Sequence, residues 1–169
     1  RISSLWDFSG PSFTISSGEN SVYRALEISQ MILNEGDIDA AVVTAVDLAG
    51  SPENILMRQR INPINSSKSS LSFEKEVNGW MIGEGAGSVV LKNFKNAKKD
   101  NEEIFAVFDA IEFTNEISIS SVENAGKKAL KSANLSVKDI GMLEVSASGN
   151  SDEDKAEMQG LKNLFNGKI

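Results

Sequence analysis

The chain has 169 residues and a mass of 18.2 kDa, room for one domain with a real core. Its hydrophobic share of 40% argues against disorder, and its net charge of -7 disfavours a phosphate backbone, so no nucleic-acid partner is expected. It has no Cys and no His, which excludes disulfides, zinc–thiolate sites, thiol nucleophiles and the commonest general base.

The longest apolar stretch, Ala40 to Val46, falls far short of the roughly 18 residues that suggest a membrane span, so no membrane partner is expected. Residue one is Arg1, and Arg1 to Phe8 carries no signal-peptide pattern. It reads as mid-domain sequence, so the chain is expected to be a piece of a larger, cytoplasmic protein.

The elements follow in chain order. Phe13-Thr14-Ile15-Ser16 is a short strand candidate with Phe13 and Ile15 on one face. From Asn20 to Asn34 the apolar residues Val22, Ala25, Leu26, Ile32 and Leu33 fall at helical spacing, and Gly36 is a natural stop. Asp39 to Thr44 holds a continuous Ala-Ala-Val-Val run, the pattern of a strand buried on both faces. Ser51-Pro52-Glu53 supplies an N-cap, an N1 proline and an early acid, opening a helix to about Arg60. Asn62 to Trp80 is polar and irregular, and Gly83 to Gly87 is glycine-rich. Ser88 to Lys92 reads as a strand, Asn93 to Glu103 as a charged connection, and Ile104 to Phe113 as a long strand. Ser120-x-x-Glu123 has the form of a capping box before a helix carrying Val122, Ala125, Ala129, Leu130 and Ala133. Met142 to Ser146 is a strand. Ser151 then caps a last helix whose first turn is acidic at Asp152, Glu153 and Asp154. Strands alternating with helices imply an α/β fold around a mostly parallel sheet.

Most polar clusters have plain structural readings. Asp152, Glu153 and Asp154 suit surface acids compensating a helix dipole better than a metal site. Glu84, between Gly83 and Gly85, suits a loop-bracing carboxylate. Lys95 to Lys99 reads as a solvated loop, with a contact to a partner protein as the alternative. Gly83, Gly85 and Gly87 are expected to allow a tight backbone path with positive φ at one or more of them. No Gly-Lys-Ser/Thr follows, so nucleotide binding is not expected.

Short segments in fixed order point to a family. They are Gly10-Pro11-Ser12-Phe13-Thr14-Ile15, Ala25-Leu26, Gly36-Asp37 before Ala40-Ala41-Val42-Val43, Ser72-Phe73-Glu74, Asn78-Gly79-Trp80, and Gly83-Glu84-Gly85-Ala86-Gly87-Ser88-Val89-Val90-Leu91-Lys92. The chain resembles the middle of a β-ketoacyl synthase, the condensing enzyme of fatty-acid and polyketide synthesis. The resemblance implies a thiolase-like α/β fold, with layered helices on a mixed, mostly parallel sheet. The chain would be partial, covering the end of the N-terminal half and the start of the C-terminal half. The implied boundaries are 1–92 for the former, 93–103 for the connection and 104–169 for the latter. A spacing shared by Asp37-Ile38 and Asp139-Ile140 falls out of register with that family's duplication and is discounted.

The resemblance breaks at the family's catalytic positions. Ser17-Gly18-Glu19-Asn20-Ser21 aligns with the elbow run, which places Glu19 at the nucleophilic Cys. Val145 to Ser151 aligns with the run that carries the first catalytic His and places Ser148 there, while Glu157 matches a Glu of the following helix. A carboxylate forms only an over-reactive mixed anhydride with an acyl group, and a Ser hydroxyl is a weaker, uncharged donor than His. The family's elbow and glycine-rich loop thus map to Gly18, Glu19, Asn20, Gly83, Glu84, Gly85 and Gly87, with no catalytic residue and no metal ligand among them. The Glu19 carboxylate is expected to receive orphan N–H groups at the helix start.

The implied function is a non-catalytic chain-length-factor domain assisting acyl elongation on a carrier protein. A divergent malonyl-thioester decarboxylase or ketosynthase, and a purely structural module, are the alternatives. No cofactor is expected beyond the phosphopantetheine arm of a partner acyl carrier protein. The implied partners are an active ketosynthase domain and that carrier protein. Phe13 and Ile15 are expected at a dimer or pseudo-dimer interface.

Overall fold

A computed structural model describes residues 2–48, 50–66, 73 and 76–167. Of the segment Ser72-Phe73-Glu74, Ser72 and Glu74 lie outside the described residues. The chain resolves into two units, Arg1–Asp47 with Gly85–Val107, and Leu48–Glu84 with Phe108–Ile169.

The first unit opens with a short helix, α1 (Ile2–Leu5), and centres on α2 (Ser21–Glu35). Leu26 and Leu33, seven residues apart and so on one face of α2, are buried. Gly36 closes α2 at φ 83°, a left-handed cap that glycine adopts without a Cβ penalty. Strands β1 (Ala40–Leu48) and β2 (Glu84–Lys92) pair into a two-stranded sheet. The Thr44 and Ser88 hydroxyls lie 3.0 Å apart across it, and Ser88 Oγ also donates to the Val43 carbonyl at 3.3 Å. Helix α4 (Phe94–Lys99) follows β2 and occupies part of the expected connection. Its N-cap Asn93 accepts from the Lys95 N–H at 3.0 Å, and its Ala97 is buried.

Strand β1 departs from its expected double burial. Val43 is buried, whereas Val42, Val46 and Leu48 on the opposite face are exposed. Only the Val43 face of β1 is covered, and among the described residues the sheet has two strands. The same shortage of partners corrects three expected strands. Residues 13–16, 104–113 and 142–146 join no ladder among the described residues. Phe13, Phe105 and Met142 are accordingly exposed. A β pattern becomes a strand only where a neighbour accepts its backbone hydrogen bonds.

Beyond α4, Lys92 Nζ donates to Asp100 Oδ2 at 2.6 Å and to Glu102 Oε1 at 2.7 Å. The two bonds tie the end of β2 to the segment leaving α4. They raise the Lys92 ammonium from 10.5 to about 12, the Asp100 bond contributing most. A raised lysine stabilises the fold fully below its unfolded value and loses that contribution as pH rises through its folded value. Lys92→Met should therefore lower the melting temperature of the intact protein slightly at pH 7–10, by an amount that added salt reduces. The gap should close between pH 10.5 and 12. A gap that persists above pH 12 would assign the loss to packing instead.

The second unit holds α3 (Pro52–Gln59), α5 (Ile119–Ser132) and α6 (Ser151–Leu164), with a short 3-10 turn at Val137–Asp139. Ser51 caps α3 by accepting from Asn54 N–H at 3.3 Å, with Pro52 at N1. The expected capping box of α5 sits two residues earlier than Ser120/Glu123. Ser118 and Ser121 exchange backbone-to-hydroxyl bonds of 3.2 and 2.9 Å. Glu123 pairs with Lys127 and accepts from Asn163 of α6 at 3.1 Å. These contacts, Lys127 first, hold its carboxyl below the usual range. The cap of α6 is Asn150 rather than Ser151, through a 3.1 Å bond from Asp152 N–H. Helices α5 and α6 pack against each other at two glycines. Gly126 of α5 lies under Leu164, and Gly160 of α6 lies under Val122 and the Ile119 carbonyl. Leu164 is buried at this contact.

Candidate functional site

The segment expected to form the elbow is a tight turn set by a glycine and a serine. Gly18 has φ 56°, and Ser17 and Glu19 form an isolated bridge across it. Ser21 Oγ accepts from Ser17 N–H at 2.9 Å and donates to the Gly18 carbonyl at 2.6 Å, locking the turn onto the first residue of α2. Asn20 occupies the N-cap without a side-chain cap bond. The Glu19 side chain is exposed and makes no hydrogen bond or ion pair among the described residues. The expected carboxylate–amide cap is not formed among the described residues, where Ser21 closes the turn instead.

The glycine-rich run also differs from expectation. Gly85 and Gly87 lie within β2, and neither they nor Gly83 have positive φ. A Cβ built at any of the three meets nothing within 4 Å. The run is extended strand rather than a strained loop, so no positive-φ device exists here. Glu84 Oε1 accepts from Gly50 N–H at 2.8 Å, which anchors the start of β2 to the segment after β1.

The richest polar geometry surrounds Ser148, in the turn between residues 142–146 and α6. Ala147 has φ 46° and Gly149 φ 82°. Successive backbone N–H groups in a turn can form an anion-binding concavity. Here those donors are met from α6. Ser146 N–H and Ala147 N–H donate to the two oxygens of Glu157 at 2.8 and 2.9 Å. Ser148 Oγ donates to Glu153 Oε2 at 2.9 Å and lies 3.3 Å from Asp154 Oδ1. Gly149 N–H donates to Asp154 Oδ2 at 3.2 Å, and Asn150 N–H to Ser148 Oγ at 3.2 Å.

Two members of the acidic run therefore do something the sequence did not reveal. Glu153 and Asp154 fold back onto the turn, while Asp152 stays at the surface, 3.7 Å from Lys155. The available signal was spacing: acids five, six and nine residues after Ser148, across a single N-cap. No trio of Asp and Glu is arranged to hold a metal among the described residues. Beside this turn lies an open cleft of about 560 Å³, whose lining includes Val77, Ile119, Met158, Asp154, Lys155 and Lys162. Gly149 lines it too and touches the backbone of Gly79 directly. No helix among the described residues is long and apolar enough to cross a membrane.

Residues 1–97 match the beta-ketoacyl synthase N-terminal domain, and residues 108–169 match the beta-ketoacyl synthase C-terminal domain. A polyunsaturated fatty acid synthase polypeptide from a Thraustochytrium species is 37% identical over 148 residues, 87% of this chain and 7% of that protein. A highly reducing polyketide synthase, AFT9-1 of Alternaria alternata, is 30% identical over 98% of this chain and 6% of its own length. Among solved structures, the PfaC keto synthase-chain length factor superposes with a TM-score of 0.85 at 37% identity, covering 98% of this chain and 17% of that one. The OzmH KS7 oxazolomycin ketosynthase domain of Streptomyces albus superposes with a TM-score of 0.87 at 26% identity, covering 99% of this chain and 31% of that one. The chain thus has a thiolase-like fold in part, and it spans a small fraction of each relative's length.

Proposed function

This chain belongs to the β-ketoacyl synthase family, and from that premise we propose that it is a non-catalytic, chain-length-factor-type portion of a ketosynthase-like domain. In this reading it assists acyl elongation on a carrier protein, as part of a polyunsaturated-fatty-acid or polyketide synthase. Its partners are an active ketosynthase domain, in a dimer or pseudo-dimer that includes Phe13 and Ile15, and an acyl carrier protein. The proposed division remains 1–92, 93–103 and 104–169, and the proposed location is cytoplasmic.

The observation that carries the reading is the state of the Ser148 turn. Decarboxylative condensation needs donors aimed at a developing enolate oxygen. Ser148 stands where the family's first His is expected, and its hydroxyl proton is engaged by Glu153. The amides of Ser146, Ala147 and Gly149 are engaged by Glu157 and Asp154. Glu19, at the position of the nucleophile, is a carboxylate with no activating partner among the described residues. The similarity to a keto synthase-chain length factor structure supports the same reading.

The test uses the intact protein with the catalytic Cys and His residues of any partner ketosynthase replaced by Ala. Incubated with a malonyl-carrier thioester, it should release no carbon dioxide above background. Glu19→Cys should create a thiol at a helix start that iodoacetamide alkylates, yet should form no ketoacyl product. Carbon dioxide release without the partner's catalytic Cys and His, or product from Glu19→Cys alone, would make this a lightly disabled enzyme.

A further inference from the structure

The sequence contains two Asn-Gly pairs, Asn78-Gly79 and Asn166-Gly167. This dipeptide carries a reaction of its own. The backbone nitrogen of glycine, with no side chain to shield it, attacks the asparagine Cγ. The Cγ–Nδ2 bond breaks, and ammonia leaves with the proton of the attacking amide. Water then opens the five-membered succinimide at either carbonyl, which gives an aspartyl or an isoaspartyl residue. The dipeptide is the same in both places, so the fold decides which pair reacts.

At Asn78 both ends of the side-chain amide are held. Ser66 N–H donates to Asn78 Oδ1 at 3.0 Å, and Asn78 Nδ2 donates to Ser66 Oγ at 3.1 Å. Gly79 is buried, and a Cβ there would lie 2.4 Å from the Pro63 carbonyl oxygen. Trp80 N–H donates to that same oxygen at 3.0 Å, and Asn65 N–H donates to the Trp80 carbonyl at 2.9 Å. Ring closure at Asn78 therefore requires loss of both Ser66 bonds and a shift of packed main chain. Asn166 and Gly167 follow α6 and are exposed, at φ 54° and 72°. The Asn166 side chain makes no hydrogen bond among the described residues. One backbone bond opposes reaction there, from Gly167 N–H to the Lys162 carbonyl at 2.8 Å. A bond at a helix end opens more readily than one in a packed segment.

We infer that Asn166-Gly167 is a site of spontaneous deamidation, and that Asn78-Gly79 is the same reactive pair held inert by Ser66 and by the packing of Gly79. The product bears on the fold. A carboxylate at a helix C-terminus is unfavourable. The isoaspartyl form also adds a methylene to the backbone, which shifts the register of the Gly167–Lys162 bond. The last turn of α6 carries buried Leu164, which lies against Gly126 of α5. Modification at Asn166 therefore loosens the α5–α6 contact.

The experiment ages the intact protein at mildly alkaline pH and digests it under acidic conditions. Both peptides are followed by the mass gain of exchanging NH for O and by isoaspartate methyltransferase labelling. Asn166 should convert about tenfold faster than Asn78, the order expected when the slower site must break two further hydrogen bonds. In concentrated guanidinium chloride the two rates should converge. Ser66→Ala removes the Oγ acceptor and should speed Asn78 about fivefold without changing Asn166. Aged protein should lose hydrogen-exchange protection around Leu164, whereas Asn166→Gln, which closes no five-membered ring, should keep it. Equal rates in the folded protein, or faster conversion at Asn78, would overturn the assignment. So would an Asn166 that stays intact while the denatured protein converts. An Asn78 rate unmoved by Ser66→Ala would remove Ser66 from the guard. Unchanged protection in aged wild type would refute the coupling to α6.

Discussion

Gly149→Ala is expected to dislodge the Ser148 turn from the segment beneath it. Two independent penalties fall on one methyl group. At φ 82° an L-residue other than glycine is strained, and the added Cβ would lie 2.1 Å from the Gly79 carbonyl oxygen and 2.8 Å from its carbon. The left-handed conformation costs roughly 1–2 kcal/mol and overpacking typically about 1–3 kcal/mol more, so the clash is at least as large as the strain. Relief requires backbone movement, since the obstructing atoms belong to the main chain. Gly79 has no freedom of its own, because a Cβ there would sit 2.4 Å from the Pro63 carbonyl. The Trp80–Pro63 and Asn65–Trp80 backbone bonds, at 3.0 and 2.9 Å, should therefore weaken together. Hydrogen exchange on the intact protein reads this directly, as faster exchange at Asn65, Trp80 and Gly149. Gly149→Asn separates the two penalties. Asn tolerates the left-handed region far better than Ala but brings the same Cβ. If Asn restores protection, strain dominates; if it fails as Ala does, the clash dominates, which is the expected result.

The helices were largely legible in the sequence, because their signals are local. Val22, Leu26 and Leu33 share a face, Gly36 ends α2, and Ser51-Pro52 opens α3. Where a boundary moved, several residues competed for one role. Ser118, Ser120 and Ser121 all offer caps, and Glu123, expected to complete a box with Ser120, is instead held by Lys127 and Asn163. The strands were legible as patterns and not as pairings. The alternation at residues 13–16 and the Phe, Val and Ile of residues 104–113 describe what such a backbone suits, whereas a ladder also depends on a neighbour. The glycine-rich run misled for a related reason. Glycine permits positive φ without requiring it, and Gly85 and Gly87 sit instead in an extended strand. The family segments were specific enough to give the family. What could not be read was the direction of Glu153 and Asp154. A first-turn acid has the same sequence signature whether it faces solvent or bends back onto the preceding turn. Only the left-handed path through Ala147 and Gly149 turns those donors toward the helix.

Gly160→Ala should loosen the α5–α6 pair, whereas Gly126→Ala should not, although both glycines lie at the same contact. Each substitution gains about 1 kcal/mol of helix propensity in a helix interior. The difference lies in what the new methyl meets. At Gly160 a Cβ falls 2.8 Å from the Ile119 carbonyl oxygen, 2.8 Å from Val122 Cβ and 2.9 Å from Val122 Cγ1. Two of those atoms are fixed by the α5 backbone, and the third belongs to a β-branched side chain with one favoured rotamer in a helix. The helices must separate, and separation also loosens buried Leu164. Overpacking of this kind costs about 1–3 kcal/mol and outweighs the propensity gain, and Gly160→Val raises the cost further while losing most of that gain. At Gly126 the nearest atom is Leu164 Cδ2 at 2.4 Å, the far end of a flexible side chain, and the next is 3.5 Å away. A rotation of Leu164 relieves that contact, so the propensity gain survives. Hydrogen exchange across α5 and α6 in the intact protein should fall in protection for Gly160→Ala, fall further for Gly160→Val, and hold or rise for Gly126→Ala. Equal losses for the two alanine variants would show that Leu164 has no room to rotate and that both glycines are fixed by packing. Protection unchanged at Gly160→Ala would mean that α5 and α6 have slack at their crossing.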